Sequence, residues 1–273
     1  MGKILRFICM LIALDTTVFS KEYKIHREDI VIVLLTGDDI GKSFATEEQA
    51  FANRALFAPK MAAFIQYASQ HSKFLVIDNF FPKYVKNDSD DLIVSALKQN
   101  RNVTLPALQY LSNQNRRLKT PAEFLSSVPV AGHGVGYRAE PPTGKKSKLK
   151  YYYIPGYFCD TDSVNFVAPD KCRKNALRKH TAIIAVESFI GKEINAPLDI
   201  AYWLPLETLE NFKAYTINEV ESNNNLIQNK IVIFQKRTLP TVNVLHRVDG
   251  STISGAEILA NLILIFSHDF PPP

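Results

Sequence analysis

The sequence predicts a single three-layer α/β domain, a central and mostly parallel sheet with helices on both faces. Two stretches carry that expectation. Asp29 to Thr36 (Asp-Ile-Val-Ile-Val-Leu-Leu-Thr) and Lys230 to Phe234 are apolar at consecutive positions, so both faces of each strand must be covered, as in a parallel sheet. A third observation is the spacing between strand and helix patterns, which repeats as in βαβ units. There is no internal repeat and no linker long enough to separate two domains.

The elements follow in order. The first strand ends at Gly37-Asp38-Asp39. Thr46 to His71, rich in Ala, Phe and Gln, reads as helix, with Pro59 opening a second piece that buries Ala62, Ile65 and Ala68. Lys73 to Asp78 is the next strand and completes a βαβ unit with right-handed crossover. Asp88 to Gln99 is a helix opened by acidic residues, and Asn102 to Leu108 is a third short strand. Arg116 to Lys150 is rich in Pro and Gly and carries the basic cluster Lys145-Lys146-Ser147-Lys148, which marks a surface loop. Tyr151 to Ile154 reads as strand, Asn175 to Gly191 as a helix stopped by Gly191, and Leu198 to Trp203 as strand. Thr241 to Leu245 is expected at a sheet edge. Ser254 to Phe266 closes the domain as a helix, with Ala256, Leu259, Ala260 and Ile263 on one face and Ser254 with Glu257 as a capping box.

The amino terminus bears on location. Lys3 and Arg6 precede the eight-residue apolar run Phe7 to Leu14, and Val18 and Ser20 stand at −3 and −1 of a cleavage site, which is the layout of a secretory signal. Asp15 interrupts the run well short of the about twenty residues that span a bilayer. Residues 1–20 are therefore read as a signal peptide or N-terminal anchor, and 21–273 as the exported domain, periplasmic or at the outer face of the cytoplasmic membrane. The formal charge of +5, with 46% hydrophobic and 22% charged residues, is ordinary for a globular chain and excludes a nucleic-acid footprint. Beyond the leader only Cys159 and Cys172 remain, with twelve residues between them. In an oxidising compartment they predict a disulfide, stabilising by roughly 3 kcal/mol through loop closure. The other reading is two free thiols. The spacing lacks the partners of a metal site, and no cofactor is expected.

Four residues stand out as candidate ligand contacts. Gly37 to Ser43 looks like a phosphate loop but has three residues between Gly37 and Gly41 where that loop needs four, and Asp38 and Asp39 would repel a polyphosphate. It reads instead as a turn capped by Asp38 or Asp39. Asp78 ends a strand, where open α/β sheets place ligands and catalytic groups. His133 stands among Gly132, Gly134 and Gly136, followed by Arg138, a candidate anion contact. No nucleophile motif accompanies them.

Taken in order, these blocks resemble the type 2 CHASE domain, the extracellular sensory module of bacterial transmembrane receptors. Asp29 to Ile40 is similar to its first strand and acidic turn. Phe57 to Ser69 with Phe74-Leu-Val-Ile-Asp-Asn-Phe-Phe81 is similar to its helix and second strand. Gly132 to Arg138, Asp199 to Pro205, Lys230 to Phe234 and Ser254 to Ile263, with its Gly-x-x-x-x-Ala-Asn pattern, complete the likeness. The basic Lys145 cluster and Phe234-Gln235, where the family has glycine, depart from the pattern. Family members normally continue into membrane spans and a cytoplasmic output, so the chain is expected to be a stand-alone or truncated form.

The resemblance implies extracytoplasmic signal sensing without catalysis. The expected partners are a small-molecule or envelope ligand and a membrane-anchored signalling partner, and no nucleic acid. The ligand site is expected near Asp38, Asp78, His133 and Arg138. Two other readings stay open: a secreted hydrolase that brings Asp78 and His133 together, and an envelope protein-interaction module that binds a partner through its sheet edge or basic loop or, if membrane segments are absent, through the closing helix, Ile258 to Phe266.

Overall fold

The computed structural model describes residues 24–43, 49, 54–79, 81, 83–111, 116–133, 137–139, 151–160, 169–237 and 244–270. The leader, the Lys145 cluster, Gly134 and Gly136 lie outside the described residues. In chain order the strands are β1 (Ile30–Leu35), β2 (Phe74–Ile77), β3 (Val103–Thr104), β4 (Pro106–Leu111), β5 (Arg116–Lys119), β6 (Gly132–His133), β7 (Tyr137–Ala139), β8 (Tyr151–Pro155), β9 (Tyr157–Cys159), β10 (Leu177–Lys179), β11 (Ala201–Pro205), β12 (Ala214–Thr216), β13 (Ile231–Lys236), β14 (Val244–His246) and β15 (Thr252–Ser254). The helices are α1 (Arg54–His71), α2 (Asp88–Lys98), α3 (Ala122–Leu125), α4 (Thr181–Ile190), α5 (Ile217–Ser222) and α6 (Gly255–Asp269).

Five strands form a central parallel sheet in the order β12-β1-β13-β2-β3. Alternation along its strands explains why the predicted runs had to be apolar throughout. Val31, Val33, Leu75, Ile77, Val232 and Phe234 pack with α1, α2 and α5 on one face. Ile30, Ile32, Phe74, Val76, Ile231 and Ile233 pack with α4 and α6 on the other. The three-layer α/β domain is therefore present, with two cores separated by one sheet. Phe234 and Phe64 mark the first core, their rings 4.7 Å apart and both fully buried.

Several local expectations are corrected. Helix α1 runs through Pro59 rather than starting there, because Phe57, Ala58, Met61, Ala62, Phe64 and Ile65 bury one continuous face and Pro59 is exposed. The third strand divides: Val103 and Thr104 pair with β2, and Pro106–Leu111 turns into a separate sheet with β5 and β6. The predicted helix Asn175 to Gly191 begins only at Thr181, because Leu177–Lys179 pairs antiparallel with β9. Its stop is as expected, with Gly191 left-handed at φ 74°. Ala201–Pro205 joins β8 and β7, away from the central sheet, and Val244–His246 forms a hairpin with Thr252–Ser254. The capping box of α6 is present: Ser254 Oγ accepts from Glu257 N–H at 3.2 Å and Glu257 Oε2 accepts from Ser254 N–H at 2.7 Å.

Cys159 and Cys172 are joined in a disulfide that ties the end of β9 to the segment leading into β10. A disulfide fits an oxidising compartment. Among the described residues no helix is long and apolar enough to cross a membrane.

Candidate functional site

The connections out of the sheet single out one edge. After β1 and after β2 the chain passes to α1 and α2, on the same face, whereas after β13, which lies between them, it reaches α6 on the opposite face. Where neighbouring strands send their continuations to opposite faces, the carboxyl ends part and leave a crevice, the usual ligand position in open α/β sheets. Here the carboxyl ends that meet at this switch point carry Thr36 to Asp39 after β1, Gln235 and Lys236 at the end of β13, and Asp78 and Asn79 after β2.

Strand alternation sends Asp78 and Gln235 to the α6 face, one step beyond Val76 and Ile233. The Asp78 N–H donates to the Phe234 carbonyl at 2.8 Å, extending the ladder, and Gln235 Nε2 donates to Asp78 Oδ2 at 2.9 Å. Gly255, the first residue of α6, lies against both: a methyl group there would sit 3.6 Å from Asp78 Oδ2 and 3.7 Å from Gln235 Nε2. Part of the Asp78 residue reaches solvent, yet the protein packed around its carboxyl pushes the pKa up to about 7, with the Gln235 hydrogen bond acting against the rise. Gln235 is 1% exposed, and its buried Oε1 has no hydrogen-bond donor among the described residues. On the other face Asn79 Oδ1 accepts from the Lys236 N–H at 2.7 Å, and Lys236 Nζ stands 5.1 Å from the centre of the Phe57 ring.

In the turn after β1 neither Asp38 nor Asp39 is the N-cap, a place Gly37 takes without a side-chain bond; Asp39 instead ties the turn back to Thr36. Its Oδ2 accepts from the Thr36 N–H at 2.7 Å and from Thr36 Oγ1 at 2.8 Å. Asp38 is exposed at the start of that turn, which Gly41 closes at φ 63°.

His133 has other neighbours. It pairs with Leu108 of β4, forms an isolated bridge with His180, and presents its ring edge-to-face to the His180 ring with centroids 4.9 Å apart. Phe158 is the next ring, at 5.7 Å. The His133 residue is 0% exposed and His180 4%. Neither His133 ring nitrogen has a partner of hydrogen-bonding geometry among the described residues. Burial holds its pKa well below the ordinary value, His180 adds to the effect, and the Gly156 backbone opposes both. Burial likewise pushes His180 down to about 3. Arg138 lies on β7 opposite Tyr152, in a different sheet from Asp78.

The four predicted residues therefore do not form one cluster. Asp38 and Asp78 follow the ends of β1 and β2, His133 faces His180, and Arg138 belongs to the β7–β8–β11 sheet. No hydrogen bond joins Asp78 to His133. The closing helix is not a free surface either, since Ile258, Leu259, Leu262, Ile263 and Phe266 are all buried in the second core.

Three residues of consequence were not singled out as site residues. Gln235 was visible only as a polar end to an apolar strand, and His180 only as a polar residue ahead of Thr181-Ala-Ile-Ile. Asn261, within the Gly-x-x-x-x-Ala-Asn pattern, brackets the Glu210 backbone: it accepts from Glu210 N–H and donates to Glu210 O, both at 2.9 Å. That fixes α6 against the chain entering β12. Among the described residues no group of three His, Cys, Asp or Glu side chains could hold a metal ion. The chain matches no protein-family model, no curated protein and no solved structure with which it was compared.

Proposed function

We propose that this chain is a ligand-binding sensory domain of an exported signalling protein, with its input site in the crevice at the carboxyl ends of β1, β13 and β2. The observation that carries the reading is Asp78: a carboxyl set beside Gln235 and the first turn of α6, at the place where the strand connections diverge. The order of sequence blocks resembling the type 2 CHASE domain supports a sensory role. The leader-like start and the disulfide support export, to the periplasm or the outer face of the cytoplasmic membrane. The ligand is a small molecule or an envelope fragment, and the output passes to a membrane-anchored partner.

A sensor works only if its ligand binds one state better than another. The crevice suits that demand because it lies between α1, on one face, and α6, on the other, so a bound molecule touches elements of both layers. Among the described residues the site pairs no base with a nucleophile, and Asp78 without His133 beside it gives the hydrolase reading no support; the proposed role is binding.

A thermal-shift screen of small polar metabolites and envelope fragments tests the proposal on the full chain. The expected result is a compound that raises the melting temperature of the wild type and not that of Asp78→Ala. A compound that stabilises both proteins equally would move the site elsewhere. A shift in neither protein across the panel would count against a small-molecule sensor.

A further inference from the structure

We propose that His133 and His180 form an acid-responsive latch, in which proton uptake by the pair releases the β9–β10 hairpin and the first turn of α4 from the core. The proposal stands apart from the crevice and does not depend on a ligand there.

The geometry makes the closed form a neutral form. The Ala182 N–H donates to His180 Nδ1 at 3.1 Å, so that nitrogen carries no proton and His180 acts as the N-cap of α4. A proton on Nδ1 would replace an acceptor by a donor facing a donor. The His180 N–H donates to Gly156 O at 2.7 Å, and β10 continues into the disulfide-closed hairpin through its pairing with β9. His133 joins the same point from β6, through the bridge to His180, and Gly132 leaves no slack there: a methyl group at its position would come within 2.7 Å of Thr181 Cγ2 and 2.9 Å of Thr181 Cα. The two rings thus close a junction between β6, β9–β10 and α4.

Charges on the surrounding elements are engaged elsewhere. From β10, Lys179 reaches Glu187 of α4 at 2.8 Å and Glu193 at 3.5 Å, and Arg178 reaches Asp160 at 3.7 Å. Lys119 of β5 also reaches Asp160, at 3.0 Å. From α6, Glu257 caps Ser254, His268 faces the Ile25 carbonyl, and Asp269 accepts from Tyr202. Tyr157 of β9 donates to Ala196 O. Strand β4 presents Pro106 and Leu108 at the positions paired with β6. No carboxylate among these faces the imidazoles to compensate a positive ring. A first proton on one ring also opposes a second on the other while the pair stays closed. Opening returns both rings to water, so acid favours the open form by up to two protons.

The test is hydrogen exchange followed by mass spectrometry on the full chain, from pH 7.5 to 5, with rates corrected for the intrinsic pH dependence of exchange. Opening of peptides covering 156–160 and 177–186 is expected to rise by up to about 100-fold per pH unit below pH ~6.5, with β1 and β13, which open only with the whole domain, rising by no more than about tenfold per unit. His180→Asn keeps a capping acceptor and removes one titrating ring, so its rise falls to about tenfold per unit. A wild-type opening that ignores pH, or an equal slope in the variant, overturns the latch. If the variant does not fold, the imidazole Cε1–H resonances of the wild type decide. Neutral-ring shifts that persist until the region opens support the latch, and titration near pH 6.5 in an intact fold refutes it.

Discussion

At the ends of β2 and β13 an ionisable side chain is half-buried beside an amide that can serve it, whereas at the β6–α4 junction two ionisable rings are buried beside each other. Both regions oppose charge, but with opposite consequences. Asp78 holds a proton up to about pH 7 in the folded state, against about 3.9 in an unfolded chain, so its contribution to stability is present below about 3.9 and is lost as pH rises through 7. The histidines are depressed instead. The unfolded chain binds their protons below about 6.5 and the folded one does not, so stability is lost as pH falls from about 6.5 toward about 3, where His180 titrates. Packing differs in the same way: a methyl group at Gly255 would make ordinary contacts beside Asp78, while at Gly132 it would collide with the backbone of Thr181. Beside Asp78 a methyl group fits and the carboxyl can change its charge near pH 7; the histidine region is tightly packed, and burial there favours the neutral rings.

Substitutions can break this contrast in turn. The largest effect is expected from Cys172→Ser, which frees the hairpin behind the histidine pair and lowers unfolding free energy by about 3 kcal/mol in denaturant titration. Gly132→Ala should cost about 1–3 kcal/mol by overpacking against Thr181 and Ile184, with the loss confined to the histidine side in hydrogen exchange. Between pH about 4 and 6.5 the two histidines and Asp78 partly cancel, giving a wild-type stability that rises by about 1.4 kcal/mol per pH unit; Asp78→Asn should steepen this to about 2.7 kcal/mol per unit in urea titrations across that range. Gly255→Ala is expected to stay within about 1 kcal/mol of the wild type, since it adds only van der Waals contact at the start of a helix.

The parts of this picture that were legible in the sequence are those that local pattern controls. The doubly apolar runs at β1 and β13 announced a buried parallel sheet, and the Ser254–Glu257 box marked the start of α6. Strand β12 left no such mark, because Ala214, Tyr215 and Thr216 form a short edge with its first residue exposed. Leu177–Lys179 was absorbed into a predicted helix because its pairing with β9 is a tertiary fact that no window of sequence contains. The same limit applied to the sites. Asp78 was visible from its place at a strand end, but its partner Gln235 lies 157 residues away and only the sheet register brings them together. His133 was noticed for its glycines, and what defines it is His180 across a bridge.

The most direct measurement is the pH titration of the Asp78 carboxyl carbon by NMR in the wild type and in Gln235→Leu. A midpoint near 7 is expected in the wild type and a higher one in the variant, because the Gln235 hydrogen bond favours the charged carboxylate. A midpoint near the ordinary carboxyl value of about 4 in both proteins would contradict it, and with it the crevice as a site poised by burial.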